Sequence, residues 1–257
     1  MGAVPEGLQA AWVLGKRGHG VVVCEKENTA GGQYRLASVP TMKQDLSKTI
    51  LTYLTLCKKY NVKIIYGVEV TKEILDKENY NEIIIATGSL PIVPPIEGIN
   101  GKNVVLANQI LSFDKIFADK NILVLGAGLV GAETAELLAE YNNSVTIVDM
   151  IDKVAPIAPA RPRGNLLDHL KQLNVNIMLN RKVLKINEDV IVCEYEGKAL
   201  ELSGYDVIVL AFGSRSNIQL YNTFNSEYNN VHLIGDAAKV GDAKKAIFEA
   251  TKLALKL

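Results

Sequence analysis

The chain has 257 residues, of which 48% are hydrophobic and 22% are charged, a composition that suits two globular domains with buried cores. Its 28 Lys plus Arg residues balance its 28 Asp plus Glu residues, which argues against a basic nucleic-acid-binding surface. No apolar run reaches the roughly 18 residues that a membrane span needs, and the first residues lack the pattern of a secretory signal. We therefore expect a cytoplasmic protein that binds neither nucleic acid nor a membrane.

An internal duplication organises the predicted elements. Residues 2–25 align without a gap on residues 126–149, with a constant offset of 124, and weaker matches follow between 61–70 and 174–183 and between 83–89 and 208–214. Gly2 matches Gly126, Ala3 matches Ala127, Gly7 matches Gly131 and Glu25 matches Asp149. Each copy therefore has the same order of glycine turn, helix and strand.

In chain order, the hydrophobic patterns predict helix 8–16, strand 21–23, strand 122–125, helix 132–140, strand 145–148, a short strand near 231–234 and helix 243–257. Alternating strands and helices with short connections are typical of parallel βαβ units. The predicted fold is α/β, with two Rossmann-like dinucleotide-binding domains, the second inserted in the first. Prolines and glycines in 88–103 mark a crossing between domains, so we assign 1–103 plus 215–257 to the first domain and 104–214 to the second.

The second copy carries an intact dinucleotide-binding motif. A predicted strand enters Gly126-x-Gly128-x-x-Gly131, and a helix follows at once, which is the context that this motif requires. The glycines allow a tight turn, close approach of a diphosphate and close packing of helix on strand. Asp149, at the end of the next strand, is placed to accept hydrogen bonds from ribose hydroxyls and to repel a 2′-phosphate. The motif predicts NADH rather than NADPH.

The first copy departs from this motif in two ways. Val4 stands where the second copy has Gly128, so its side chain would crowd a diphosphate at the point of closest approach. Met1 directly precedes Gly2, where the second copy has a strand before its first glycine. We therefore expect the first domain to lack its first strand and the chain to be N-terminally truncated.

Nearly the whole sequence resembles the C-terminal half of the old yellow enzyme-like NADH:flavin oxidoreductases, the group that contains 2,4-dienoyl-CoA reductase, 2-enoate reductase and trimethylamine dehydrogenase. The stretches that carry the resemblance are EKENTAGGQ (25–33), IIIATGS (83–89), VLGAGLVGAETA (124–135), LAFGSR (210–215) and LIGDA (233–237). The resemblance implies that the first domain holds FAD and the second holds the nicotinamide nucleotide.

The resemblance also implies roles for single residues. Glu25 would bind the adenosine ribose, Gly32 and Gln33 would line the flavin side, Thr87 and Gly88 would touch the cofactor, and Asp236 would bind the FAD ribityl chain. Glu133 matches a position near the nicotinamide, and a solvated helix acid is an equally good interpretation of it. With the neighbours of these motifs, the predicted cofactor-binding set is Gly2, Ala3, Gly7, Glu25, Lys26, Gly32, Gln33, Val70, Ala86, Thr87, Gly88, Gly126, Gly128, Leu129, Val130, Gly131, Glu133, Asp149, Gly213, Gly235 and Asp236.

The function that the resemblance implies is transfer of electrons from NADH to FAD, and then to a flavin or iron–sulfur centre in another domain or subunit. Full-length members of the group carry a flavin-binding barrel and a cysteine-rich iron–sulfur segment, and neither is present in this sequence. Such hydride transfer needs cofactor positioning rather than a side-chain acid or base, so no catalytic residue is predicted. The scattered Cys24, Cys57 and Cys193 predict no metal site. The alternatives are a non-catalytic NAD(H)-binding fragment and a pseudoenzyme that no longer holds FAD.

Overall fold

The computed structural model describes residues 1–78, 80–187 and 190–257. The chain forms two compact units. Unit 1 comprises Met1–Val39, Lys43–Leu90 and Ser214–Leu257, and unit 2 comprises Pro40–Met42 and Pro91–Gly213. The inserted arrangement predicted from the duplication is thus present.

The helices, in chain order, are α1 (Pro5–Lys16), α2 (Gly32–Leu36), α3 (Leu46–Lys59), α4 (Lys72–Glu78), α5 (Ala107–Leu111), α6 (Leu129–Glu140), α7 (Ala160–Gln172), α8 (Gln219–Asn225) and α9 (Ala243–Lys256), with a short 3₁₀ helix at Gly235–Ala237. The strands are β1 (Val22–Glu25), β2 (Lys63–Tyr66), β3 (Ile83–Ile85), β4 (Ser89–Pro91), β5 (Val104–Leu106), β6 (Asn121–Leu125), β7 (Ser144–Val148), β8 (Asn176–Met178), β9 (Lys182–Ile186), β10 (Val190–Tyr195), β11 (Lys198–Ser203), β12 (Val207–Leu210), β13 (Ser214–Ser216) and β14 (Val231–Leu233).

A parallel five-stranded sheet in the order β5-β12-β6-β7-β8 forms the centre of unit 2. The central strand β6 is buried on both faces at Ile122–Leu125, as parallel strands covered on both sides are. Helix α6 follows β6 and packs on β6 and β7. This is the predicted α/β fold, and its carboxyl edge carries the glycine motif.

Unit 2 also contains an antiparallel sheet in the order β11-β10-β9, which the sequence pattern did not predict. Its buried residues Ile186, Ile191, Cys193 and Leu202 join the same hydrophobic cluster as Leu123 of the parallel sheet. Alternation of buried and exposed positions in β10 and β11 is the pattern expected of a sheet with one solvated face.

Four strands of unit 1 form two parallel pairs, β1-β2 and β14-β3. Between the pairs, Gly2 donates to Cys24 O at 2.9 Å, and Met1 O accepts from Ala86 N at 2.9 Å. The same two bonds occur in unit 2, from Gly126 N to Val148 O and from Ala211 N to Leu125 O. Met1 therefore lies where the last residue of β6 lies in unit 2.

The C-terminal tail belongs to unit 1, as the sequence order had suggested. Strand β14 pairs with β3, and α9 packs along α1 through Ala250 and Ala254, which are fully buried with Leu14 and Ala10. The tail therefore brings its Gly-Asp turn to the carboxyl end of β3 within the same unit.

Two helix starts and one domain boundary differ from the predictions. Helices α1 and α6 begin at Pro5 and Leu129, three residues earlier than predicted, because the residues after each glycine turn already adopt helical geometry and Pro5 suits the first helical position. Residues 91–103 belong to unit 2 rather than to the first domain, since Ile99 packs in the core of unit 2.

Candidate dinucleotide-binding sites

The glycine loop of unit 2 has a shape that side chains would prevent. Gly126 has a φ of +121°, and a Cβ there would overlap the Ala211 carbonyl oxygen. A Cβ on Gly131 would overlap the carbonyl oxygen of Gly126. These two glycines therefore allow β6 to turn sharply into α6, as the sequence pattern indicated.

Gly128 has a different role, because nothing lies within 4 Å of a Cβ built on it. It is the N-cap of α6, and no side chain caps this helix end. The first backbone N–H groups of a helix lack partners within the helix and attract anions. Open space above Gly128 beside these donors fits a dinucleotide diphosphate.

Asp149 follows β7 and holds the loop through both of its carboxylate oxygens. Oδ2 accepts a hydrogen bond from Ala127 N at 2.5 Å, and Oδ1 accepts one from Ile151 N at 3.2 Å. Each oxygen keeps a further lone pair. The carboxylate is therefore fixed beside the loop and retains acceptor capacity for ribose hydroxyls.

The loop of unit 1 has the same backbone hydrogen bonds as its counterpart in unit 2. Glu25 Oε2 accepts from Ala3 N at 2.7 Å, and Glu25 Oε1 accepts from Glu27 N at 2.9 Å. Cβ atoms on Gly2 and Gly7 would overlap the carbonyl oxygens of Ala86 and Gly2. Three of the predicted residues, Gly2, Gly7 and Glu25, are thus arranged like Gly126, Gly131 and Asp149.

Val4 occupies space that stays open in unit 2. It is the N-cap of α1 without a side-chain cap, and a Cβ on Gly32, whose φ is +47°, would lie 2.7 Å from Val4 Cγ1. Val4 therefore covers Gly32, one of the positions predicted to line the flavin side. The backbone of the loop fits a dinucleotide, whereas the Val4 side chain narrows the space above it.

Three other predicted residues of unit 1, Gln33, Thr87 and Asp236, each form a hydrogen bond within that unit. Gln33 Nε2 donates to Ser89 O at 3.3 Å, and Thr87 Oγ1 donates to Asn217 O at 2.9 Å. Asp236 Oδ1 accepts from Gly241 N at 3.0 Å, and burial raises the pKa of Asp236 above its ordinary value. The tail of the chain and the first glycine loop therefore contribute to one region of unit 1.

Several predicted positions have other surroundings. Val70 is 6% exposed and packs with Leu75 and Phe224 in the core of unit 1. Lys26 and Gly213 are exposed, and Ala86 is buried. Gly88 and Gly235 both have a positive φ, and Gly235 begins the Gly-Asp turn. Leu129 and Val130 form the first turn of α6. Glu133 is 6% exposed, so its interpretation as a solvated helix acid is wrong. It faces the interior because it lies one residue from the fully buried Ala132 and Thr134.

Glu6, which was not among the predicted residues, is a buried acid in the first turn of α1. It is 6% exposed, and burial raises the pKa of its carboxyl from 4.5 to about 7. The signal was present in the duplication, because the matching position of unit 2 is the uncharged Val130.

Among the residues that the structure describes, no group of His, Cys, Asp and Glu has a metal-binding arrangement, and no helix is long and apolar enough to span a membrane.

Two dinucleotide-binding loops, one in each of two α/β units, define a flavoprotein oxidoreductase of the kind that binds FAD and NAD(H). Comparison with protein families agrees with this class, because the pyridine nucleotide-disulphide oxidoreductase model matches residues 1–249. The chain belongs to the pyridine nucleotide-disulphide oxidoreductase family. Its cofactors are FAD and NAD(H).

The similar proteins are much longer than this chain. A bilirubin reductase from Mediterraneibacter gnavus is 32% identical over 95% of this chain and 38% of its own length. A cinnamate reductase from Clostridium sporogenes is 31% identical over 96% of this chain and 37% of its own length. A solved complex of 2-naphthoyl-CoA reductase superposes with a TM-score of 0.93 at 27% identity, over all of this chain and 39% of that one. The chain therefore spans less than half of each of these relatives.

Proposed function

We propose that the chain is an NADH-dependent flavin reductase module, the electron-input part of a larger or multi-subunit oxidoreductase. Unit 1 holds FAD and unit 2 holds NADH, and electrons leave the module for a flavin or iron–sulfur centre in another domain or subunit. The observation that carries the proposal is the paired loop geometry: two carboxylates, Glu25 and Asp149, bind the amides of Ala3 and Ala127 in the same way. The sequence resemblance to the old yellow enzyme-like NADH:flavin oxidoreductases supports this proposal.

The residues assigned to NADH lie in unit 2. The N-terminal end of α6 and the open space at Gly128 receive the diphosphate, and Asp149 receives the ribose hydroxyls. A carboxylate at this position repels the 2′-phosphate of NADPH, so the module prefers NADH.

The residues assigned to FAD lie in unit 1. Gly2 and Gly7 shape the loop, Glu25 is oriented toward the adenosine ribose, and Asp236 with Thr87 serves the flavin half of the cofactor. When bound, FAD accepts a hydride from NADH and releases the electrons singly or in pairs. The chain's own groups bind and orient the cofactors, and no side chain is assigned as acid or base.

The relatives suggest where the electrons go. The names of the bilirubin, cinnamate and 2-naphthoyl-CoA reductases describe reduction of conjugated organic molecules, and this chain covers 37–39% of each of them. We propose that such a substrate is reduced outside this module, by a partner domain or subunit that takes electrons from its FAD.

A second candidate function is NAD(H) binding without flavin, which the contact of Val4 with Gly32 favours. The test is an anaerobic titration of the FAD-reconstituted chain with NADH, followed by visible absorbance. Bleaching of the flavin band by one equivalent of NADH supports the module. A chain that binds NADH but takes up no FAD under any condition, including acidic pH, supports the second candidate and rejects the first.

A further inference from the structure

Glu6 places an acid at the helix end that the diphosphate of a dinucleotide uses. It is the second residue of α1, directly after Pro5 and two residues after Val4. The matching residue of unit 2, Val130, is uncharged and 46% exposed, whereas Glu6 is 6% exposed. The two loops therefore share a backbone but differ in charge at the same position.

The Glu6 side chain folds back over the turn rather than extending into solvent. A Cβ built on Gly235 would lie 2.5 Å from Glu6 Oε1 and 2.6 Å from Glu6 Cγ, so the carboxyl group rests against the backbone of Gly235. The backbone N–H groups of Glu6, in the first turn of α1, and of Asp236 favour the ionised carboxylate and so lower its pKa.

The surroundings of Glu6 are acidic. Burial is the largest cause that raises the pKa of Glu6, and the carboxylates of Asp236, on the 3₁₀ helix, and Glu249, on α9, raise it further, whereas the two backbone donors lower it. The result is a pKa of about 7. Near neutral pH the group therefore changes between a neutral acid and a buried anion.

We propose that Glu6 competes with the diphosphate of FAD for the N-terminal end of α1, so that the ionised carboxylate opposes FAD binding and the neutral acid permits it. The Glu6 carboxyl group lies beside the first turn of α1, against Gly235, and two anions at one helix end repel each other. This inference rests on the proposed function, because it assumes that unit 1 is the FAD site. It makes FAD retention by the module a function of pH.

The direction of the pH effect follows from the protonated fraction. That fraction falls from about nine-tenths at one pH unit below the pKa to about one-tenth at one pH unit above it. If the neutral form binds FAD, the apparent dissociation constant is the intrinsic one divided by this fraction. FAD affinity should then fall about tenfold between pH 6 and pH 8.

The test is fluorescence titration of FAD into the purified chain, freed of flavin, at pH 6 and pH 8. Glu6→Gln keeps the size of the side chain and removes its charge, so we expect it to bind FAD about tenfold more tightly than the wild type at pH 8 and equally at both pH values. Glu73→Gln, which removes an exposed acid of unit 1 on α4, should follow the wild type. The reciprocal change Val130→Glu should weaken NADH binding by unit 2.

The outcomes separate the inference from the proposed function. If Glu6→Gln and the wild type bind FAD with equal affinity and equal pH dependence, the inference is overturned and the proposed function stands. If neither protein binds FAD at pH 6 or pH 8 while both bind NADH, the proposed function fails and the inference falls with it. A cooperative thermal melt and a far-ultraviolet circular dichroism spectrum equal to that of the wild type show that Glu6→Gln is folded.

Discussion

Asp149 accepts a hydrogen bond from the backbone amide of Ala127, 22 residues earlier in the chain. Glu25 and Ala3 have the same relationship, also across 22 residues. Glu25, at the end of β1, and Asp149, directly after β7, therefore each hold the glycine loop of their unit through a backbone amide. Since the proposed function also assigns the ribose to these acids, it couples the order of the loop to nucleotide affinity.

Removing the acid of unit 2 should weaken NADH binding. In Asp149→Ala the Ala127 amide loses its acceptor and the ribose loses its charged partner, so we expect the dissociation constant for NADH to rise about ten- to a hundredfold. NADPH should lose less, because the repulsion of its 2′-phosphate also disappears. Quenching of protein or nucleotide fluorescence measures both constants. Asp152→Ala, an exposed acid three residues on, is the control, and an equal loss in both variants would contradict the assignment.

In the intact loop of unit 2, we expect Gly128 to matter for NADH binding and Gly131 to matter for stability. Gly128→Ala adds a Cβ to open space at an ordinary φ of −62°, so unfolding free energy should change by no more than about 1 kcal/mol while NADH affinity falls at least about tenfold. Gly131→Ala drives a Cβ into the Gly126 carbonyl and should cost about 2 kcal/mol or more. Denaturant unfolding and NADH titration distinguish the two. Equal destabilisation by both substitutions would refute this division.

Removing the side chain of Val4 should strengthen FAD binding by unit 1. Val4→Gly restores the residue found at the matching position of unit 2 and removes the side chain that covers Gly32. Because glycine is a better N-cap than valine, the helix start should tolerate the change. We expect tighter FAD binding at pH 6, measured by flavin fluorescence. Val130→Gly in unit 2, which opens no such contact, should leave FAD binding unchanged. Weaker FAD binding by Val4→Gly would show that Val4 supports the site.

Glu6 should also make stability depend on pH when no FAD is present. Its folded pKa of about 7 lies above the ordinary 4.5, so its stabilising contribution is complete below pH 4.5 and is lost as pH rises through 7. A shift of this size corresponds to about 3 kcal/mol for a buried group. The melting temperature of Glu6→Gln relative to the wild type should therefore rise from pH 5 to pH 8.

The amino group of Met1 makes stability depend on pH in the opposite direction, and comparing Glu6→Gln with the wild type cancels its contribution. Burial lowers the pKa of its ammonium group from 8.0 to about 6, so the stability linked to Met1 is present above pH 8 and lost as pH falls through 6. Both proteins carry Met1, and its effect cancels in their difference. A constant difference in melting temperature between pH 5 and pH 8 would show that Glu6 is not protonated on folding.

The sequence predicted the parts of the fold that repeat. The match of Gly126 to Gly2 and of Asp149 to Glu25 indicated two α/β units, because strand, glycine turn, helix and acid are local features with strong patterns. The antiparallel sheet was missed, although its turn at Glu196 and Gly197 has positive φ at both residues, as a two-residue hairpin turn requires. Its short strands lie largely between the matched segments of the two copies, so comparison of the copies did not reveal them.

The candidate sites could be located from the sequence, but their internal contacts could not. That Asp149 holds the Ala127 amide, or that Glu6 rests on Gly235, depends on chain segments 22 and 229 residues apart in sequence meeting in space. The duplication did contain one unused signal, since Glu6 replaces an uncharged residue of the intact loop.

The surroundings of Met1 matter for anyone who produces this protein. Its amine donates to Ile84 O at 2.6 Å, and its carbonyl accepts from Ala86 N. Residues joined to that amine would enter unit 1 between β1 and β3, so an affinity tag at the amino end becomes part of the sheet region instead of a neutral handle. Comparing the thermal stability of preparations with and without residues added ahead of Met1 would reveal how strongly the sheet responds to added chain.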